Sequence, residues 1–152
     1  DFSAMHIALA YAKAGLNPPA EDPYTINDYP RDAMKLVSLV TLNGGGTAGI
    51  RLKFLESGLT PLIPHIADMR AAFLDRHQPI AEIVGTPDIG LELQHLDSKV
   101  AERVLMEMMS RGAPALGWHD SFLAQRSRED ELVQVMRNEY ADIIGFEPPA
   151  IK

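Results

Sequence analysis

The sequence predicts an α+β fold in which most residues are helical and one small antiparallel sheet is present. Several segments repeat apolar residues every three to four positions, a spacing typical of amphipathic helices. Two short apolar runs, residues 114–118 and 122–124, have the length of strands instead, and His119-Asp120 separates them. A chain that turns at this pair brings the two runs side by side, so we expect a hairpin with His119-Asp120 at its tip.

Chain length and composition favour a single domain over residues 1–152. With 152 residues, of which 46% are hydrophobic, the chain is long enough to bury one core. It contains no internal repeat and no change of composition that would mark a domain boundary. Because the sequence opens on Asp1, without Met or a preceding strand, we expect it to be part of a longer protein.

The helices are predicted from the apolar spacing and from the residues suited to begin or end them. Ser3 is a candidate N-cap for the first helix, and Pro30 suits the first turn of the second. Residues 17–28 contain three prolines and several acids, so we expect a loop between them. The last helix follows a capping-box pattern at residues 127–130. The predicted helices cover residues 3–14, 30–42, 47–57, 65–76, 89–111 and 127–144.

Charge and cysteine content exclude several classes of function. A formal net charge of −7 and a pI of about 5.1 argue against a free-standing domain that binds nucleic acid by neutralising phosphates. The absence of Cys excludes disulfides and thiolate zinc sites, so any metal must take oxygen or imidazole ligands. No segment approaches the roughly 20 apolar residues that cross a bilayer. We therefore expect no membrane partner and a cytoplasmic location.

Two acids and two cations carry the chemistry that the sequence suggests. Asp1 and Asp120 are far apart in the chain, and each lies at the end of a segment that we expect to be extended. Two such carboxylates are what a two-metal phosphoryl-transfer site requires. Arg31 and Lys35 are four residues apart, so one helix face presents both to a polyphosphate. Asn43 and Gly44 follow two turns further along that face, giving the pattern Arg-x3-Lys-x7-Asn-Gly.

These motifs, taken in order, resemble motifs A, B and C of family A DNA polymerases and of bacteriophage-type single-subunit RNA polymerases. The opening Asp-Phe-Ser-Ala-Met-His is similar to the family's Asp-Tyr-Ser-x-x-Glu string. The sequence His-Asp-Ser-Phe at residues 119–122 resembles the same string in the RNA polymerase branch. The resemblance spans nearly all of the chain and implies a polymerase-palm-like domain with reduced fingers.

The resemblance also implies a role for each matching residue. Asp1 and Asp120 would hold two Mg²⁺ ions, and His119 would support the metal site or the primer terminus. Arg31 and Lys35 would grip the incoming nucleoside triphosphate, with Lys35 a candidate proton donor to pyrophosphate. Template and primer would bind mostly through segments outside residues 1–152, so the isolated chain is expected to be inactive.

The chain departs from the family pattern at two positions. Asn43 stands where the family usually has Tyr, and His6 replaces the Glu that crowds the ribose 2′ position. Both positions lie in the nucleotide site that the resemblance implies. Since both changes affect sugar discrimination, the resemblance leaves open whether the product is DNA or RNA.

Two other functions remain open from the sequence. A metal-dependent phosphohydrolase could use His65, His95, His119 and Asp120, but such enzymes normally carry the His-Asp pair on a helix. A non-catalytic polymerase relative that acts as an interaction domain is the other alternative. Helical structure over residues 114–124 would favour the hydrolase.

Overall fold

Helices make up most of the protein in the computed structural model, which describes residues 1–118 and 121–152. Two short antiparallel strands are also present in this part of the chain, and they confirm the α+β prediction. The elements are α1 (Met5–Lys13), α2 (Arg31–Leu42), α3 (Thr47–Glu56), α4 (Ile66–Arg76), α5 (Ile89–Ser110), β1 (Leu116–Trp118), β2 (Ser121–Leu123) and α6 (Glu129–Ile144). None of the described helices combines the length and the hydropathy that crossing a bilayer requires.

The predicted helices are confirmed, but both predicted N-terminal caps are wrong. The N-cap of α1 is Ala4, in the left-handed region at φ 54°, and no side chain caps the helix. Ser3 instead donates its backbone N–H to the carbonyl oxygen of Ala150, at 2.7 Å. A 3₁₀ turn at Arg126–Arg128 precedes α6, so Ser127 lies within that turn and forms no capping box.

The chain forms two compact units. The first contains residues 1–18 and 93–152 and is here called the outer unit because it holds both ends of the sequence; the second contains residues 19–92, between them in the sequence, and is called the inner unit. The division falls in the first turn of α5. Two compact units of one chain can belong to one folding domain, so the expectation of a single domain stays a prediction.

The core of the outer unit is built by α1, α5 and α6. Phe2 packs against Tyr140, with ring centroids 5.5 Å apart, and burial raises the pKa of Tyr140 to about 12. At the edge of this core, Arg103 of α5 donates a hydrogen bond to Glu139 of α6 at 2.9 Å. The fully buried side chains of the unit include Ile7, Leu9, Leu93, Val100, Val104, Met108, Val135 and Met136.

Residues 1–3 and 150–152 pair as an antiparallel ladder, which we call the terminal ladder. Phe2 and Ile151 form the central bridge of this ladder. Lys152 donates its N–H to the carbonyl oxygen of Asp1 at 2.9 Å, and the Asp1 ammonium donates to the carbonyl oxygen of Lys152. Asp1 is therefore held in extended backbone, as the sequence predicted.

The core of the inner unit lies where α2, α3 and α4 pack together. Gly44 ends α2 at φ +77°, and Gly45 donates its N–H to the carbonyl oxygen of Val40 at 2.8 Å. The glycine-rich residues 44–46 therefore end α2. The fully buried side chains of this core include Met34, Val37, Ile50, Phe54, Met69, Phe73, Ile80 and Ile89.

His77 is fully buried in the inner unit and helps to fix the loop that precedes α2. Its Nε2 lies 3.0 Å from the carbonyl oxygen of Pro23, so the tautomer protonated at Nε2 donates a hydrogen bond there. Its ring centroid lies 4.7 Å from that of Phe73. Burial, opposed by the Pro23 hydrogen bond and aided by nearby Arg76, lowers the pKa of His77 below the ordinary 6.5.

The lowered pKa of His77 makes the stability of the protein dependent on pH. Below pH 6.5 the unfolded chain binds a proton at this residue that the folded chain resists. The free energy of unfolding therefore falls as the pH drops from that value through the lower pKa of the folded state. We expect His77→Gln, which keeps a donor for Pro23, to remove this component of the pH dependence. Urea unfolding between pH ~7.5 and ~5 measures it, and an unchanged slope in the variant would contradict the assignment.

Candidate functional site

The predicted strands form an antiparallel pair in the outer unit. Leu116 pairs with Leu123, and Trp118 pairs with Ser121. His119 and Asp120, which connect the strands in the sequence, lie outside the described residues. Their predicted place at a hairpin tip and their predicted catalytic roles therefore stay predictions.

One face of the strand pair is turned toward α5 and the other toward solvent. A Cβ added to Gly117 would lie 3.7 Å from Leu105 of α5, so Gly117 faces that helix. Leu116, Trp118 and Leu123 lie on the opposite face, because side chains alternate along strands and cross-strand partners share a face. These three side chains are 69%, 64% and 54% exposed, respectively.

A cavity of about 410 Å³ adjoins β2 in the outer unit. Residues 122–126 line one side of it, and the terminal ladder lines another through Asp1, Ile151 and Lys152. The apolar residues Leu132, Val133 and Met136 of α6 also line it. The fold thus brings Asp1 to the same cavity as the strand that follows Asp120 in the sequence.

The charged groups around this cavity have both signs. Asp1 and Glu129 supply carboxylates, and Arg126 and Lys152 supply cations. Carboxylate oxygens suit Mg²⁺, so Asp1 fits the predicted role of metal ligand by its chemistry. Among residues 1–118 and 121–152, no three His, Asp or Glu side chains cluster as a metal site. The described residues therefore supply only part of the predicted ligand set.

His6 lies in the same unit as Asp1. It projects from α1, and its Nε2 lies 3.5 Å from a carboxylate oxygen of Asp97 on α5. Its ring is partly exposed, at 27% of the side chain. This geometry gives His6 a contact between two helices, and its predicted role beside the nucleotide sugar stays a prediction.

Arg31 and Lys35 share one face of α2 in the inner unit. The guanidinium carbon of Arg31 lies 5.3 Å from the ring centroid of Tyr24, and the Lys35 Nζ lies 5.9 Å from it. Both distances allow cation–π contact with the same ring. Arg31 and Lys35, which were predicted to bind a triphosphate, are therefore neighbours on α2, as their spacing in the sequence predicted.

Asp22 neutralises Arg31. One carboxylate accepts hydrogen bonds from Arg31 Nε at 2.6 Å and from Arg31 Nη2 at 3.0 Å. This hydrogen-bonded pair lowers the pKa of Asp22 and raises the pKa of Arg31. Lys35 is exposed, and within the described residues no carboxylate lies at ion-pair distance from it. A phosphate would meet Lys35 directly but would compete with Asp22 for Arg31.

The sequence did not reveal Asp22 and Tyr24 as parts of this cluster. Both residues lie in the loop that we predicted over residues 17–28. Glu21 accepts a hydrogen bond from Arg76 at 2.6 Å, and the carbonyl oxygen of Pro23 is the partner of His77. The loop is therefore held in place immediately before and immediately after Asp22. The available signal in the sequence was an acidic loop shortly before a helix that carries Arg31 and Lys35. Which acid pairs with Arg31 depends on tertiary contacts, so the sequence could not identify Asp22.

Asn43 serves the local structure at the end of α2. It is the C-cap residue, and its Nδ2 donates to the carbonyl oxygen of Leu39 at 2.7 Å. It also lies against Gly90 of α5, where an added Cβ would be 3.0 Å from Asn43 Cγ and 3.1 Å from its Cα. The side chain is exposed, and its predicted role in nucleotide binding stays a prediction.

The predicted site residues thus fall into two groups. Asp1 and His6 belong to the outer unit, together with the two strands. Arg31, Lys35 and Asn43 belong to the inner unit. Neither a protein-family model nor a solved structure matches this chain. The polymerase resemblance therefore depends on the sequence motifs alone and stays a prediction.

We expect Gly90→Ala to destabilise the protein because the added methyl group meets Asn43. Tight overpacking of this kind costs about 1–3 kcal/mol in the free energy of unfolding, despite the better helix propensity of Ala. Adding Asn43→Ala should recover part of the loss, since the clash with its side chain is removed. Urea denaturation of the single and double variants measures both effects. A Gly90→Ala variant as stable as the parent would contradict the close approach of these residues.

Proposed function

We propose that the protein is the palm-like part, with reduced fingers, of a template-directed nucleotidyltransferase that uses two Mg²⁺ ions. The observation that supports this most is the cavity of about 410 Å³ that Asp1 shares with residues 122–126. In the sequence, 121 positions separate Asp1 from Phe122, yet both line this cavity. Asp120 directly precedes β2 in the chain, so its carboxylate is the natural second ligand for a metal held by Asp1.

Each residue then acts through ordinary carboxylate, amine and guanidinium chemistry. Asp1 and Asp120 would hold two Mg²⁺ ions, which would supply Lewis-acid activation of the primer 3′-hydroxyl and charge compensation for the reacting phosphates. Lys35 binds the triphosphate as a point charge and donates a proton to the departing pyrophosphate. His119 supports the metal site or the primer terminus. His6 and Asn43 contact the sugar side of the nucleotide.

In this function, Arg31 exchanges its present partner, Asp22, for a phosphate of the nucleotide. Its bidentate hydrogen bonds to Asp22 use the same donors that a phosphate would use. Triphosphate binding therefore includes release of Asp22, and the cost of that release lowers the affinity for the nucleotide. The Tyr24 ring, already in contact with both cations, keeps the Arg31 side chain in place during the exchange.

A non-catalytic relative that acts as an interaction domain is the second candidate. It is favoured because two predicted nucleotide-binding residues already have partners within the protein. Arg31 is hydrogen-bonded to Asp22, and Asn43 is hydrogen-bonded to the last turn of α2. The phosphohydrolase is disfavoured, because Leu116–Trp118 and Ser121–Leu123 are strands where that class normally has a helix.

Replacement of the predicted metal ligands tests the proposed function. In the longest form of the protein that extends a primer, Asp120→Ala and Asp1→Ala should each abolish Mg²⁺-dependent nucleotide addition. Asp75→Ala, which alters an exposed acid at the end of α4, should retain activity and serves as the matched control. Urea midpoints confirm that each variant folds. Primer extension at the parental rate by Asp120→Ala would refute the two-metal proposal.

Removal of the exposed cation on α2 tests the nucleotide-binding role. We expect Lys35→Ala to weaken nucleoside triphosphate binding about tenfold, the effect of losing one charge-assisted contact. Lys53→Ala is the matched control, because Lys53 is paired with Glu56 on α3 in the same unit. Isothermal titration with a triphosphate and Mg²⁺ measures both variants. Equal affinities for the two variants would argue for the interaction domain instead.

A further inference from the structure

Helix α3 of the inner unit is apolar on two opposite faces. Ile50 and Phe54 are fully buried in the core of the unit. Ala48, Leu52 and Leu55 have the spacing i, i+4 and i+7, so they form a second stripe on the opposite face, which we call the outward stripe. Within it, Leu52 is 56% exposed and Leu55 is 50% exposed. A helix that is apolar on all sides is normally covered on all sides, so another helix is expected against this stripe.

Two charged residues of opposite sign flank the outward stripe. Successive residues of an α-helix are rotated by about 100°, which places Arg51 along one side of the stripe and Glu56 along the other. In the heptad notation of coiled coils, Leu52 takes position a, and Ala48 and Leu55 take position d. Arg51 then takes position g and Glu56 takes position e. Side chains at g and e form the ion pairs between two helices that pack through a and d.

Both flanking side chains are available to a second molecule. Arg51 is exposed, and in the part of the chain that the structure describes no carboxylate lies at ion-pair distance from it. Glu56 accepts a hydrogen bond from Lys53 at 2.8 Å, and its side chain is 51% exposed. Since a carboxylate accepts several hydrogen bonds, this contact leaves Glu56 able to bind a further cation.

The order of these charges matches a second copy of the chain in parallel orientation. When two identical helices lie parallel about a two-fold axis, position g of each adjoins position e of the other, five residues further along. Arg51 of one copy then lies beside Glu56 of the second copy, and the axis repeats this pair. In an antiparallel arrangement, g adjoins g and e adjoins e, so like charges would meet. The charge pattern is thus complementary to itself only in the parallel arrangement.

We propose that the outward stripe binds the outward stripe of a second copy, so that two α3 helices pair in parallel about a two-fold axis. Leu52 packs against its counterpart in the second copy, and so does Leu55. Each copy contributes a helix of 10 residues, so the interface is small and the association is weak. The proposal does not depend on nucleotidyl transfer, since none of the predicted site residues lies in Thr47–Glu56.

Charge reversal tests both the pairing and its direction. Arg51→Glu and Glu56→Arg should each weaken self-association of the 152-residue chain at least about tenfold, because each places like charges side by side. The double variant R51E/E56R should associate like the parent, and so should an equimolar mixture of the two single variants. Sedimentation equilibrium up to about 1 mM protein measures weak association of this kind. A parent that stays monomeric, or single variants that associate like the parent, would overturn the proposal.

Matched variants separate the outward stripe from the fold. Leu52→Gln removes an apolar contact between copies, whereas Leu91→Gln changes a similarly exposed leucine of the inner unit. We expect only Leu52→Gln to weaken association, by about tenfold, with urea midpoints showing that both variants fold. The chain has no Cys, so Ala48→Cys should cross-link dimers under mild oxidation, whereas Ala67→Cys, exposed on α4, should not. Equal results within either pair would refute the parallel pairing.

Discussion

The antiparallel pairing of residues 1–3 with residues 150–152 is the constraint on which the candidate site depends. These hydrogen bonds hold Asp1 in extended backbone and bring it to the cavity beside β2. The same pairing places the Phe2 ring against Tyr140, so the position of Asp1 is coupled to the buried core of the outer unit. Without this ladder, the carboxylate of Asp1 would have no fixed relation to the strands that flank His119 and Asp120.

The sequence correctly predicted the secondary-structure elements that follow from local periodicity. The predictions of helix caps were wrong because tertiary contacts determine those positions. Repeats of apolar residues every three to four positions located the six α-helices of the described residues, because each helix buries one face. The caps failed since the backbone of Ser3 pairs with Ala150 while α1 begins only after Ala4, and since Ser127 lies within a 3₁₀ turn. No local pattern could have shown either competing interaction.

In the candidate site, too, local geometry was predictable from the sequence and tertiary contacts were not. The spacing of Arg31 and Lys35 was sufficient to place both on one face of α2, because helix geometry alone fixes that relation. The carboxylate of Asp22 comes from a proline-containing loop, whose path depends on contacts with Arg76 and His77 at the end of α4. Local geometry thus predicted which cations are neighbours, while tertiary structure decides how much of their charge a ligand can use.

The exposed position of Trp118 gives this protein an intrinsic optical reporter. It is the single tryptophan of the chain and is 64% exposed on the solvent face of the strand pair. Its emission therefore arises from one known location, and an aqueous surrounding shifts that emission to long wavelength. Any event that covers the strand pair should move the spectrum toward the blue and shield the indole from soluble quenchers. The state of this surface can thus be followed in the unlabelled protein, without a reporter group.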